Sequence, residues 1–178
     1  MSPTRTGDRR AARVSRRGFI STVVAAGAAS SASMTRRSRL QAQQTGSIKG
    51  FDHVALPMQN TEAMLAFYRG LGLTINETAQ ACSVYVGSQM MINFHRPVLW
   101  QRESFTLRAP AAKPPCGDLC FVWDGTPQSL KAMLDRAGAK VEEGPVSRQG
   151  GRREAGSSVY TRDPDGNLLE FMIYPSGR

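Results

Sequence analysis

The stretch GDLCFVWDGTPQSLKAML (residues 117–134) decides the fold. Its first half, through Gly125, is an apolar run with glycine at each end, the pattern of a buried strand. Its second half opens a helix, TPQSLKAMLDRAGA. Thr126 stands at the cap, Pro127 suits the first helical position, and Leu130, Met133, Leu134 and Ala137 recur at helical spacing. The same pair occurs 65 residues earlier, as FDHVALPM (51–58) followed by NTEAMLAFYRGLGL (60–73), with Asn60 or Thr61 as cap. At that offset His53 falls on Asp118, Thr61 on Thr126 and Leu65 on Leu130.

Three strand-like segments follow each helix. In the first half they are LTINETAQ, CSVYVGSQ and MMINFHRP; in the second they are KVEEGPVS, SSVYTRD and NLLEFMIY. An offset of 77 then carries Ile92-Asn93-Phe94 onto Leu169-Glu170-Phe171, the extra length lying in a polar, proline-containing connection over 97–115. Self-similarity of this kind predicts a duplicated βαβββ unit. The fold class is therefore α+β: units over about 50–97 and 117–175 build one domain (48–175), with eight strands in an open, barrel-like sheet around a cleft. Equivalent inward-facing positions of the two units converge on that cleft.

The formal charge of +9 is not a property of this domain. Residues 1–42 hold nine arginines and one acid, whereas the rest of the chain holds 14 Lys and Arg against 13 Asp and Glu. A nucleic-acid surface would place its charge on the folded part, so nucleic acid is not an expected partner. The basic tail runs into Ser15-Arg16-Arg17-Gly18-Phe19-Ile20 and then an apolar, small-residue segment to about Ala29. That segment is too short for a bilayer span, which needs about 20 apolar residues, and its layout is that of an export signal. Paired arginines ahead of Phe-Ile resemble the twin-arginine signal. Residues 1–42 are thus expected to be a signal peptide and disordered linker, cleaved after Ala32 or Ala42. They imply the twin-arginine export machinery as a partner, a periplasmic or secreted location, and no stable membrane span in the mature form.

Three cysteines, Cys82, Cys116 and Cys120, make neither a disulfide scaffold nor a zinc clip. Along an extended strand, Cys116 and Cys120 stand about 13 Å apart at roughly 3.3 Å per residue. A disulfide needs Cα atoms within about 7 Å. The residue of interest between them is Asp118, which repeats His53.

FDHVAL (51–56), FYRGLGL (67–73) and RDPDGNLLEF (162–171) resemble the vicinal oxygen chelate superfamily. This superfamily includes glyoxalase I, extradiol dioxygenases, fosfomycin-resistance enzymes and bleomycin-binding proteins. The resemblance implies a divalent metal in the cleft, held from the first and last strand of each unit; those slots fall on His53, Asn93, Asp118 and Glu170. One imidazole and two carboxylates suit Fe, Mn, Ni, Co or Zn with open positions for a substrate. Asn93 departs from the glutamate of the glyoxalase pattern and is a poor ligand. His95, two residues on, shares its face. Its roles stay open: fourth ligand, general base or substrate contact. His53, His95, Asp118 and Glu170 are the expected metal set, with His95 and Glu170 as catalytic groups.

Ordinary structural roles compete with these. Asp118 and Glu170 could be paired with Arg96, Arg108 or Arg162, and Gly150–Arg153 is either an anion-binding lid or a solvated loop. Trp100, Trp123, Phe94 and Tyr160 either line a pocket or fill the core. The expected function is a metal-dependent lyase, isomerase or dioxygenase that chelates neighbouring oxygens of a small substrate. The alternative is a metal-free ligand-binding protein of the same fold. Pairing of the units within one chain or by exchange in a homodimer is open.

Overall fold

The structure is a computed structural model describing residues 46–175. The export signal expected over 1–42 lies outside the described residues. Strand β1 (His53–Pro57), helix α1 (Thr61–Gly70) and strands β2 (Thr74–Glu77), β3 (Ala81–Val86) and β4 (Met90–His95) form the first unit. A short helix α2 (Pro97–Trp100) begins the connection, which the sequence pattern had left without structure. Strand β5 (Asp118–Val122), helix α3 (Pro127–Arg136) and strands β6 (Val141–Gln149), β7 (Ala155–Arg162) and β8 (Leu168–Ile173) form the second.

The eight strands divide into two four-stranded sheets with the same order, β1-β4-β3-β2 and β5-β8-β7-β6. In each, the first strand lies parallel to the last and the others are antiparallel. The duplication extends to register. Ala55 faces Asn93 across β1 and β4, and Cys120 faces Glu170 across β5 and β8, as the offsets of 65 and 77 require.

Alternation then sorts the side chains. Leu56, Val84, Ile92 and Phe94 of the first sheet join Met64, Leu65, Phe67 and Tyr68 of α1 in the core. Leu169 and Phe171 join Leu130, Met133 and Leu134 of α3 in the same cluster. The two helices come together where Gly70 passes Ala137, at a spot where a Cβ would stand 3.0 Å from the Ala137 Cα.

The two helices start differently. Thr126 caps α3 as expected: its hydroxyl accepts the Ser129 N–H at 3.1 Å, and the Ser129 hydroxyl oxygen in turn accepts the Thr126 N–H at 3.0 Å. Asn60 makes no such cap for α1. Instead Asp165 of the other unit accepts from the Gln59 and Asn60 N–H groups at 2.6 and 2.8 Å and from the Asn60 side-chain amide at 2.8 Å, anchoring the residues just before the helix. A carboxylate here also complements the positive end of the helix. Asp165 is held in place by the Asp163–Asn167 turn, whose Gly166 takes a φ of 91° that other residues resist. Asp163 is 5% exposed and accepts from the Tyr68 hydroxyl (3.0 Å), the Asn167 amide (2.8 Å) and the Asp165 and Asn167 N–H groups.

Burial raises the Asp163 carboxyl above its ordinary range even though its Asn167 and Tyr68 partners act the other way. Burial, then the Asp163 charge, pushes the Tyr68 hydroxyl well above its usual value. Asp163→Ala strips an acceptor from three buried donors and is expected to cost about 2–4 kcal/mol in urea melts; Tyr68→Phe removes one charged-acceptor bond and costs about 1.5 kcal/mol. For a carboxyl raised by folding, the stabilising contribution is complete below about pH 3.9, the unfolded value, and is lost as pH rises through the folded one. The stability gap between wild type and Asp163→Asn should therefore be wider at pH 4 than at pH 7.

Candidate functional site

Strand alternation places the sequence-derived residues on the faces turned from the core. His53, Ala55 and Pro57 alternate with Leu56, and their neighbours across the ladder are Met91, Asn93 and His95. The first sheet thus presents His53, Asn93 and His95 on one face. By the same count, Asp118, Cys120, Glu170 and Tyr160 share one face of the second sheet. These are the two sets that the duplication relates.

On the first sheet, the His53 side chain is 47% exposed and its Nδ1 lies 2.6 Å from Asp52 Oδ1. His95 is half-buried, with its Nε2 3.4 Å from the Asn93 amide nitrogen and its ring edge-on to Phe105. Burial first, and the neighbouring His53 second, hold the His95 imidazole below its ordinary value.

On the second sheet, Glu170 accepts a hydrogen bond from Ser158, which is wholly buried. Tyr160 and Cys120 approach the same carboxylate, and Arg148 lies over the Tyr160 ring, 5.6 Å from its centre. Burial, then hydrogen bonding to Glu170, raises the Tyr160 hydroxyl, against the opposing pull of Arg148. The Cys120 thiol is pushed up to about 12 by loss of hydration first, then by the charge and hydrogen bonding of Glu170, then by Asp118. This Ser158–Tyr160–Cys120 shell around Glu170 was not foreseen. Its signal was available in the period-two spacing of Ser158 and Tyr160 on a strand beside Glu170.

The structure does not bring the two sets together. Among the described residues, no three of His, Cys, Asp and Glu stand close enough to hold a metal ion. The donor types suit a divalent metal, but a single chain does not offer them at one point. The arginine-pair alternative is not found either: Arg96 pairs with Glu77 and Arg162 with Glu142, while Arg108 has no carboxylate partner among the described residues. Gly150–Arg153 makes a tight hairpin turn, closed by Gly150 N–H to Glu154 O at 2.9 Å, with Arg152 stacked on Tyr174. Of the four aromatic residues, Phe94 is in the core, Trp123 bonds to Ser129 at the start of α3, and Trp100 and Tyr160 flank the candidate faces. Cys82, Cys116 and Cys120 are all free thiols.

A family model described as Glyoxalase/Bleomycin resistance protein/Dioxygenase superfamily matches residues 50–171. Virulence protein STM3117 of Salmonella typhimurium is 31% identical over 128 residues, 71% of this chain and 85% of that protein. Its crystal structure superposes with a TM-score of 0.63, covering 73% of this chain and all of the other. The integron cassette protein VCH_CASS1 of V. cholerae is 30% identical, with a TM-score of 0.64 over 73% of this chain and 98% of that one. The glyoxalase domain-containing protein RDO1 of Mycosarcoma maydis is 29% identical over 136 residues, 76% of this chain and 74% of that protein.

The Cys120 environment yields a direct measurement. Cys120 is exposed, yet loss of hydration at its thiol and the neighbouring Glu170 and Asp118 charges disfavour its thiolate, so at pH 8 iodoacetamide should label it more slowly than a free cysteine. Glu170→Gln removes the nearest negative charge and should speed that labelling, read by mass spectrometry of the Cys120 peptide.

Proposed function

Because the chain belongs to the Glyoxalase/Bleomycin resistance protein/Dioxygenase superfamily, we propose that it is a small-molecule enzyme whose cleft is completed by a second copy of itself. In a pair that exchanges sheets, the first sheet of one copy faces the second sheet of the other. His53 and His95 of one chain then meet Asp118 and Glu170 of its partner.

The observation that supports this reading is the condition of β1 and β5. Each is an edge strand of its sheet; β1 carries His53 and β5 carries Asp118, with His95 and Glu170 on the neighbouring strands β4 and β8. Val54 on β1 is 37% exposed and Val122 on β5 is 49% exposed. An open edge strand with apolar side chains is a template for pairing with another chain. The faces are also complementary, with imidazoles on one and carboxylates on the other, which favours their meeting over the pairing of like faces.

The completed donor set is of the kind that takes Fe, Mn, Ni, Co or Zn. When bound, such an ion acts as a Lewis acid toward two neighbouring oxygens of a substrate. The protein's own part is positional. Ser158 fixes the Glu170 carboxylate, and Asn93 lies against the His95 ring. His95 and Glu170 are the groups placed to take and hold a proton.

A second reading has its own support: a metal-free ligand-binding protein with the same paired cleft. Asn93 is an amide in a ligand slot, and Glu170 already has hydrogen-bond donors of its own. In either case the twin-arginine-like Ser15–Ile20 segment supports export to the periplasm or beyond. Among the described residues no helix is long and apolar enough to cross a membrane.

Sedimentation should show a dimer, with about one Mn, Fe, Ni, Co or Zn per chain by elemental analysis. His53→Ala and Glu170→Ala should each lose the metal. Mixing the two variants by subunit exchange should restore about a quarter of wild-type content, since half of randomly paired dimers regain one of two sites. No recovery on mixing would refute the exchanged site, and a metal-free dimer unaffected by both alanines would support the second reading. Separately, replacing Arg16 and Arg17 with lysine should retain the protein in the cytoplasm on cell fractionation.

A further inference from the structure

The connection between the units does more than link them. After β4 ends at His95, Pro97 starts α2, and Trp100 donates its indole N–H to the Met58 carbonyl at 2.8 Å. That bond ties the connection across the end of β1. Phe105 then meets the His95 ring edge-on at 5.2 Å. Further along, Arg108 donates through one guanidinium nitrogen, Nη1, to the Ala109 and Pro110 carbonyls at 3.3 and 3.1 Å and reaches Ala112 O at 3.5 Å.

These contacts enclose a cavity of about 80 Å³ bounded by Ala55, Pro57, His95, Trp100, Arg108 and Ala112. Its walls are apolar apart from the imidazole of His95 and the guanidinium of Arg108. No carboxylate pairs with Arg108 among the described residues. The Arg108 guanidinium is thus oriented by backbone carbonyls and has no carboxylate beside it.

We infer that this cavity is a binding pocket for a small monocarboxylate, which Arg108 holds with His95 at its side. The volume corresponds to about three waters at roughly 30 Å³ each, room for a carboxylate and one or two further carbons. A planar carboxylate matches the guanidinium fork, and one negative charge balances one positive charge. A phosphate dianion would bring a charge the pocket does not answer. The apolar walls take the alkyl end. All the residues involved come from one chain; His95 also belongs to the proposed metal set, so the pocket is tested on metal-free protein.

Acetate and its neutral isostere acetamide provide the test, titrated into the full-length wild-type chain at constant ionic strength and pH. The Trp100 indole and His95 ring resonances are followed by NMR. Acetate should shift both with a Kd on the order of millimolar, within reach for a ligand of four heavy atoms. Acetamide should bind at least tenfold more weakly. Arg108→Gln should weaken acetate at least tenfold, whereas Arg102→Gln should leave it unchanged. Equal response to acetamide, no response to acetate, or undiminished binding by Arg108→Gln would overturn the inference. If Arg108→Gln does not fold, the acetate and acetamide titrations of the wild-type chain still decide. The titrations are run after chelator treatment, so that neither metal loss nor metal binding at His95 enters the readout and failure of the pocket is separable from failure of the metal site.

Discussion

The structure hangs on one buried carboxylate. Asp163 sits in the turn before β8 and accepts from Tyr68, a core residue of α1 nearly a hundred residues earlier. Its own turn presents Asp165, which holds the two residues just before that same helix. Two adjacent acids therefore fix the last hairpin of the second unit against the first helix of the first unit. Burying a charge is costly unless every lone pair has a donor, and Asp163 has four. No buried side-chain nitrogen or oxygen among the described residues lacks a partner.

That latch sets what remains exposed. With α1 and α3 sharing one core, the opposite faces of both sheets are left partly exposed, along with edge strands β1 and β5. The residues that carry chemistry lie on those faces. The separation of His53 and His95 from Asp118 and Glu170 is thus a consequence of how the core is organised. It is not a defect of either strand. The connection over 97–116 covers one part of the first sheet and in doing so makes the Arg108 pocket beside His95.

Much of this was legible in the residues, and the reasons are particular. The repeat at offsets 65 and 77 gave the unit, and the ladders Ala55–Asn93 and Cys120–Glu170 obey it because duplicated strands keep their register. Thr126 announced its cap because the capping box is local, needing only Ser129 three residues on. Asn60 does stand at the N-cap position, but its side chain turns to Asp165 instead of to the first-turn N–H groups, and no local pattern reports a partner that arrives from the other half of the chain.

By itself, then, the sequence determined the βαβββ duplication, the face on which His53, Asn93, His95, Asp118 and Glu170 lie, and the absence of a Cys116–Cys120 bond. The first follows from self-similarity at fixed offsets, and the other two from the alternation and rise of a strand, where one residue more or less reverses the answer. Only the tertiary structure decided that the two candidate faces do not meet within one chain, that Ser158 and Tyr160 surround Glu170, and that Arg108 closes a pocket over His95. Those depend on long-range packing, because the cost of burying Asp163 and joining two helix faces is settled over the whole domain, beyond the reach of any single strand or turn.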